Sequence, residues 1–527
     1  MSFTSAAFLL FVAIVTLVYF VVPKKGQWII LLLASYAFYL MSSPKTFVFV
    51  LLTTITTFWG ARVIGGYEAS YKAYIKENKE SLEKEQKKAL KAANQRKKKR
   101  MLLLIMLINF GVLAFLKYFR VYLNDIALAI GVGQIFDAGF LIPLGISFYT
   151  FQSMGYLIDV YRGKYKPDEH IAKFALFVSF FPQIVQGPIS RYDQLAGQLY
   201  ESHTFDYTRM KFGAQLILWG FFKKLVIADR VGIFVDQVFD NYTEYQGFFV
   251  IVAVVFYTIQ IYADFSAGMD IARGISQIFG IDMTLNFERP YFSTSIPEFW
   301  RRWHITLGAW CRDYIFYSIS LSPTFGKLGK KSRKVLGDRV GKLLPVIIAQ
   351  LATFLTIGIW HGAELKYIVY GLYQAVFIIG GILLEPYLIK LVKLLRINTE
   401  AFSWRLFQIL RTFILIVIGR YFSRGVSFTA AIYMMQASLV FNPRIFFDGA
   451  IFEVGLTLGD FMVLAAALAV WLTISIMQEC GMNVREKLSE QNLVFRWSIY
   501  IIALVTVLIF GVYGSGYDAS SFIYRTF

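Results

Sequence analysis

RKKKRMLLLIMLINFGVLAFLKYF, residues 96–119, sets five consecutive cations directly before a long apolar run that Asn109 and Lys117 alone interrupt strongly. At 1.5 Å per residue such a run crosses the roughly 30 Å hydrocarbon core of a bilayer as a helix. Lipid offers no hydrogen-bond partner to a bare backbone, so the segment must close its own bonds helically. Lys/Arg-rich short loops stay on the cytoplasmic side, so the cationic run also sets an orientation.

Working outward, apolar segments at Ala6–Val22, Trp28–Met41 and Phe47–Ile64 precede it. Three crossings bring the chain to the cytoplasm where the basic stretch 67–100 begins, with 12 Lys/Arg against 5 Asp/Glu, provided that the N-terminus lies outside. The first segment does not read as a cleaved signal peptide, because no basic region precedes it and Pro23-Lys24-Lys25 stands at its end. Further spans are expected near Phe140–Ile158, Ala172–Ile184, Ala214–Ala228, Phe248–Ala263, Leu343–Trp360, Lys366–Leu384, Trp404–Val417, Phe461–Met477 and Phe495–Val512. The expected fold class is all-α: a polytopic integral membrane protein of about 11–13 membrane helices, with re-entrant and interfacial helices where segments fall short of about 20 residues.

Composition agrees. Over 527 residues, 57% are hydrophobic and 17% charged, and the mean hydropathy is +0.55. Soluble domains carry about 25% charge, so a water-soluble globule is excluded. The net charge of +19 does not point to nucleic acid, because much of it lies in the stretch 67–100 and in 320–342, which holds 7 Lys/Arg and one Asp. Topology accounts for both stretches, and docking of acidic headgroups or of a nucleotide-bearing donor is the alternative. Cys311 and Cys480 show no metal-like spacing. Neither a linker nor a fixed repeat divides the chain, so one membrane domain, 1–527, is expected. Within it lie a basic cytoplasmic loop or helix at 67–100 and, at 281–342, a motif segment followed by a basic loop.

The motif segment is NFERPYFSTSIPEFWRRWHITLGAWCRDYIFYSIS, residues 286–320. It is too polar to span freely and too aromatic for a plain loop, so it belongs at the membrane interface. An anchoring helix with snorkelling arginines and a functional site both account for that composition. His304 within it, and His361 in Gly358-Ile-Trp-His-Gly-Ala-Glu364, are the two of four histidines set among tryptophans in apolar surroundings. A histidine near neutrality is the usual general base. Burial disfavours imidazolium, so His361 is expected neutral and able to take a proton from a hydroxyl. A metal site is not expected, since 57 residues separate the pair and no third His or Cys accompanies them. Asp264 and Asp270, near the end of an apolar run, must be paired, wet or capping a broken helix.

Trp303-His304-x-Thr306-Leu307, Arg312-Asp313-Tyr314 and Trp360-His361-Gly362 occur in order with Pro143-Leu-Gly-Ile-Ser-Phe-Tyr-Thr-Phe-Gln152, Phe181-Pro-Gln-Ile-Val-Gln-Gly-Pro188 and Asp264-Phe-Ser-Ala-Gly-Met-Asp270. The set resembles the membrane-bound O-acyltransferases (MBOAT), closest to the bacterial branch of alginate O-acetylation and teichoic-acid D-alanylation. The resemblance implies a helical enzyme with a central tunnel between a cytoplasmic donor and an extracytoplasmic acceptor. It implies His361 as the catalytic histidine, with His304 beside it as a second catalytic or positioning group. Trp360, Trp303, Arg302, Arg312 and Asp313 would line the tunnel or hold the donor, the charged three being equally suited to structural ion pairs. Acetyl-CoA is the implied donor substrate, with no bound cofactor. A polysaccharide acceptor and an extracytoplasmic SGNH-type partner are implied with it. The tail Phe522-Ile-Tyr524-Arg-Thr-Phe527 is similar to tails whose tyrosine carries the acyl group, so Tyr524 is a candidate relay, with an aromatic interfacial anchor as the alternative. A transporter or flippase, or an acyltransferase acting on lipid or protein, also suits many spans with intramembrane charges. Matched inverted halves would favour transport, and none is evident in the sequence.

Overall fold

A computed structural model of the chain describes residues 3–133, 135–136, 143–362, 364–513 and 522. Among these, no strand occurs; an isolated bridge joins Phe287 to Trp303. Eight helices are long and apolar enough to cross a membrane, and Ala6–Val21 is a shorter apolar helix. The protein is a multi-pass helical membrane protein. Several expected spans take other forms: Ala172–Ile184 is broken at Phe180 into Ile171–Ser179 and Phe181–Ile184, and every residue from Phe174 to Ser190 is buried. Irregular backbone at membrane depth is tolerated only where protein shelters it, as here.

Contacts group the chain into two compact units, Met1–Gly213 with Ile275–Thr284, and Ala214–Gly274 with Leu285–Phe527. In the first unit, helices Phe47–Glu77 and Lys84–Ala114 extend into the basic stretch 67–100 from both sides and meet at a six-residue turn, 78–83. Of the five cations at 96–100, Lys98 is buried, donating to Glu68 Oε2 at 2.9 Å beside Asn94 at 3.3 Å, so it joins the two helices. Helix Ile146–Arg162 is buried throughout Ile146–Val160, its polar side chains Ser147, Thr150, Gln152, Ser153 and Asp159 included. Its cap Gly145 has φ +68°, and a Cβ there would stand 1.7 Å from the Ile184 carbonyl oxygen, so only glycine fits. Gln183 Nε2 donates to Gln152 Oε1 and to the Pro188 carbonyl (2.8 Å), while Gln152 Nε2 donates to the Phe177 carbonyl (2.7 Å). The 143–152 and 181–188 motifs are thus joined side chain to side chain through the two glutamines, each of which also satisfies a buried backbone carbonyl, that of Phe177 or of Pro188.

In the second unit, the basic stretch 320–342 is helical. Pro323–His361 contains one break, at Gly337, whose φ is +79°, so the expected loop is instead a helix that turns sharply at that glycine. A π-helical turn, Phe222–Ala228, buries both Lys223 and Lys224. Lys224 Nζ meets Asp264 Oδ1 at 2.7 Å and Asp229 Oδ1 at 2.8 Å. Lys223 Nζ meets Asp270 Oδ2 at 2.8 Å and Ser266 Oγ at 2.7 Å. Asp264 and Asp270 are therefore paired carboxylates within helix Phe248–Ile278. The ring of Phe522, itself buried, lies 4.6 Å from Lys224 Nζ.

Candidate active site

The motif segment builds its site from short pieces. Ser295 caps helix Ile296–Arg302 by accepting from the Glu298 amide, with Pro297 in the first turn, where its missing N–H costs nothing. The helix stops because Trp303 is extended and His304 adopts the left-handed conformation, φ +45°. His304 then caps Ile305–Cys311. A non-glycine residue at positive φ is strained and persists only where neighbours hold it. Asn286 does this: its carbonyl accepts from the Ile305 amide (3.0 Å), and its side-chain Oδ1 accepts from the Thr306 amide (3.0 Å) and the Thr306 hydroxyl (2.8 Å). The Thr of the Trp-His-x-Thr-Leu pattern is thereby explained.

His304 is 2% exposed. Its Nδ1 donates to the same Asn286 Oδ1 at 3.3 Å, which sets the neutral tautomer and leaves Nε2 as an acceptor. The Phe265 ring packs edge-on at 4.9 Å and Trp360 at 5.7 Å. Trp360 in turn stands 4.8 Å from the His361 ring. The two histidines, 57 positions apart in sequence, are thus joined through one indole. His361 is half-buried at the last position of its helix, with Tyr367 stacked at 6.2 Å and Tyr370 edge-on at 6.1 Å. Gly362 follows because a Cβ there would come within 2.5 Å of the Tyr367 ring.

The remaining expected residues divide. Trp303 and Trp360 are buried at the site. Arg302 is committed elsewhere, to Glu298 at 2.8 Å and Glu479 at 2.9 Å, in a cluster where Arg289 also meets Glu479 at 2.8 Å. It fastens the motif segment to the end of helix Leu458–Glu479. Arg312 and Asp313 pair with each other at 3.2 Å, the arginine more than half exposed. Tyr524 lies outside the described residues.

Comparison with known proteins decides the family. The profile of MBOAT, the membrane-bound O-acyltransferase family, matches residues 168–423. A probable alginate O-acetylase of Pseudomonas aeruginosa is 30% identical over 447 residues, 84% of this chain and 75% of that protein. This chain belongs to the membrane-bound O-acyltransferase family. A second probable alginate O-acetylase, from Pseudomonas syringae pv. tomato, is 34% identical over 318 residues, 60% of this chain, and the match spans 55% of that protein. The teichoic acid D-alanyltransferase of Bacillus subtilis is 30% identical over 235 residues, 44% of this chain and 57% of that enzyme.

This MBOAT protein holds further groups at the site that the sequence reading passed over. Arg420 is 2% exposed, its guanidinium 4.9 Å from the Trp303 ring centroid, and its Nη1 donates to the Tyr370 hydroxyl at 3.3 Å. Tyr370 touches His361, so a buried cation stands one tyrosine away from it. The signal was available: Arg420 follows the apolar run Phe413–Gly419, and an ionisable residue at membrane depth is functional by default. Asn286 had no such signal, since its role depends on a strand-like approach of 286–288 to 302–305.

Burial pushes the His304 imidazole down to about 3. The folded protein therefore keeps it neutral, whereas the unfolded chain takes up its proton below about pH 6.5, so this group's contribution to stability is full above 6.5 and falls as pH drops. By pH 5 the loss amounts to roughly 2 kcal/mol. Thermal melting in nanodiscs at pH 7 and pH 5 is expected to show a smaller acid-induced drop for His304→Asn than for the parent. Equal drops would mean that His304 charges in the folded state.

Proposed function

We propose that this protein is an O-acyltransferase of the cytoplasmic membrane, N-terminus outside, that moves an acyl group from cytoplasmic acetyl-CoA across the bilayer for O-acetylation of an exported or cell-surface polysaccharide. Family membership and the names of the relatives, alginate O-acetylase and teichoic acid D-alanyltransferase, support acyl transfer to an envelope polymer. The observation that carries the mechanism is the unequal pair: His361 half-buried and reachable, His304 enclosed and held in one tautomer.

In this reading His361 is the base. It takes the proton of an attacking hydroxyl as the hydroxyl oxygen bonds to the thioester carbonyl carbon, and returns it to the thiolate as the carbon–sulfur bond breaks. His304 positions Trp360 and, through it, the His361 ring. Trp303 and Trp360 wall the site against water, which protects the thioester from hydrolysis. Arg420, acting through Tyr370, supplies fixed positive potential near the developing oxyanion. Arg312, paired with Asp313 on a more exposed turn, would meet the donor. Tyr524 is the hydroxyl that first receives the acyl group, before an extracytoplasmic SGNH-type partner passes it to the polysaccharide. The burial of Phe522 against Lys224 supports this, because position 522, two residues before Tyr524, packs within the unit that holds His361.

The test is acetyl-labelled CoA with purified protein in nanodiscs, followed by peptide mapping. Label on the C-terminal peptide, lost in Tyr524→Phe while free CoA is still released by slow hydrolysis, is the expected pattern. Label transfer unchanged in Tyr524→Phe removes the relay, and no turnover with any acyl thioester removes the reading as a whole.

A further inference from the structure

Within the first unit a cavity of about 490 Å³ is lined by Lys24, Lys25, Trp28, Lys173, Tyr200, Glu201 and Ser202. Its size falls within the roughly 300–1,000 Å³ of small-molecule sites. Three ammonium groups face one carboxylate, so the lining is net cationic.

The walls are built, not incidental. Gln27 is 2% exposed; its Nε2 donates to the Tyr19 and His203 carbonyls (3.3 and 2.9 Å), and its Oε1 accepts from the His203 amide at 2.8 Å. That fixes the backbone just beyond Glu201 and Ser202 against the start of helix Gln27–Ser42. The Tyr200 hydroxyl donates to Asp168 at 3.0 Å, which sets the opposite wall. Lys173 Nζ lies 5.8 Å from the Trp28 ring and 5.3 Å from the Tyr200 ring, so two aromatic faces hold the ammonium in place.

Depth says what occupies it. Lys24 and Lys25 occupy the turn between apolar helices Ala6–Val21 and Gln27–Ser42, hence at one membrane face. Phe205 and Tyr207, 56% and 66% exposed, lie three and five residues beyond the lining residue Ser202, and aromatic residues of this kind sit at headgroup level. The N-terminus of helix Gln27–Ser42 has no side-chain cap, and its Trp28 lines the cavity, so the helix dipole adds positive potential there.

We propose that this cavity binds a phosphate group, and that its natural source is the headgroup of an anionic phospholipid. Such a site would seat the protein at a defined depth, and it shares no residue with the histidine pair. Each lysine near an anionic surface is worth roughly fivefold in partitioning.

The experiment uses the full chain reconstituted in vesicles of equal phosphatidylglycerol and phosphatidylcholine, extracted in mild detergent, with retained lipids counted by native mass spectrometry. The parent is expected to retain phosphatidylglycerol roughly 25-fold over phosphatidylcholine, three lysines at about fivefold each with Glu201 offsetting one of them. Lys24→Gln/Lys25→Gln/Lys173→Gln should bring that ratio near unity, with melting temperature unchanged. Lys327→Gln/Lys330→Gln/Lys334→Gln, of equal charge change, should leave the ratio intact. A second arm measures binding of radiolabelled pyrophosphate to protein in phosphatidylcholine nanodiscs. Binding there that needs Lys24, Lys25 and Lys173, without any lipid preference, keeps the phosphate site and assigns it to a soluble ester. Equal retention of both lipids with no lysine-dependent pyrophosphate binding overturns the proposal, as does an equal loss in the control variant.

Discussion

His361→Gln is expected to lower acyl transfer from acetyl-CoA by about 10³-fold, near 4 kcal/mol of barrier, because glutamine keeps the polarity of the side chain but cannot accept a proton. The half-buried ring, framed by Trp360 at 4.8 Å and by Tyr367 and Tyr370 at about 6 Å, has few ways to change position, so the loss should appear as chemistry. Donor affinity should stay within a few-fold of the parent, and the melting temperature should not move. His304→Asn is expected to cost less in rate, since it acts through packing on Trp360, and to respond to repacking of that indole. Measured as CoA released per folded protein in nanodiscs, a His361→Gln rate within threefold of the parent would remove His361 as the base. The same result in a protein with intact donor binding would shift attention to Tyr370 and Arg420, the groups linked to that ring.

Lys224→Met is the second substitution with a large consequence, here on folding. Asp264 and Asp229, 1% and 4% exposed, share that ammonium at 2.7 and 2.8 Å. Without it two carboxylates face each other where water cannot reach them. Breaking a buried ion pair by removing one partner costs about 3–5 kcal/mol. Protein yield and melting temperature should both collapse. Lys224→Met/Asp229→Asn/Asp264→Asn should recover much of the loss, because it removes the charges together and leaves groups that can hydrogen-bond one another. A single Lys224→Met variant that melts within a degree or two of the parent would show that water reaches the cluster. The buried Phe522 ring over Lys224 makes tail release a further readout, visible as protease sensitivity of the C-terminal peptide.

Much of the fold was legible in order along the chain. Hydropathy located the long apolar helices, because the bilayer imposes a length on each one regardless of its neighbours. It misjudged the segments that do not face lipid alone. Ala172–Ile184 has the composition of a span but breaks at Phe180, since surrounding side chains satisfy the freed backbone there. The stretch 320–342 reads as a solvated loop by charge and is helical up to and beyond Gly337, because a local bend needs only one glycine.

The site divides in the same way. His304, His361, Trp303 and Trp360 were legible because rare polar groups in apolar, Trp-rich sequence stand out against their background. Arg302 stood out equally and turned out to bind Glu479, a partner 177 positions away that no local pattern indicates. Residue type and local period therefore determined membrane insertion, helical class and which two histidines lie in apolar, Trp-rich sequence: each depends on side-chain chemistry and on the bilayer, both of which act on a segment wherever it sits. Tertiary structure alone decided that Trp360 bridges the histidines, that Asn286 holds one tautomer, that Arg420 stands behind Tyr370, and that Lys224 unites two aspartates. Those are distances between segments far apart in the chain, and only packing of the helices against one another brings such groups within reach.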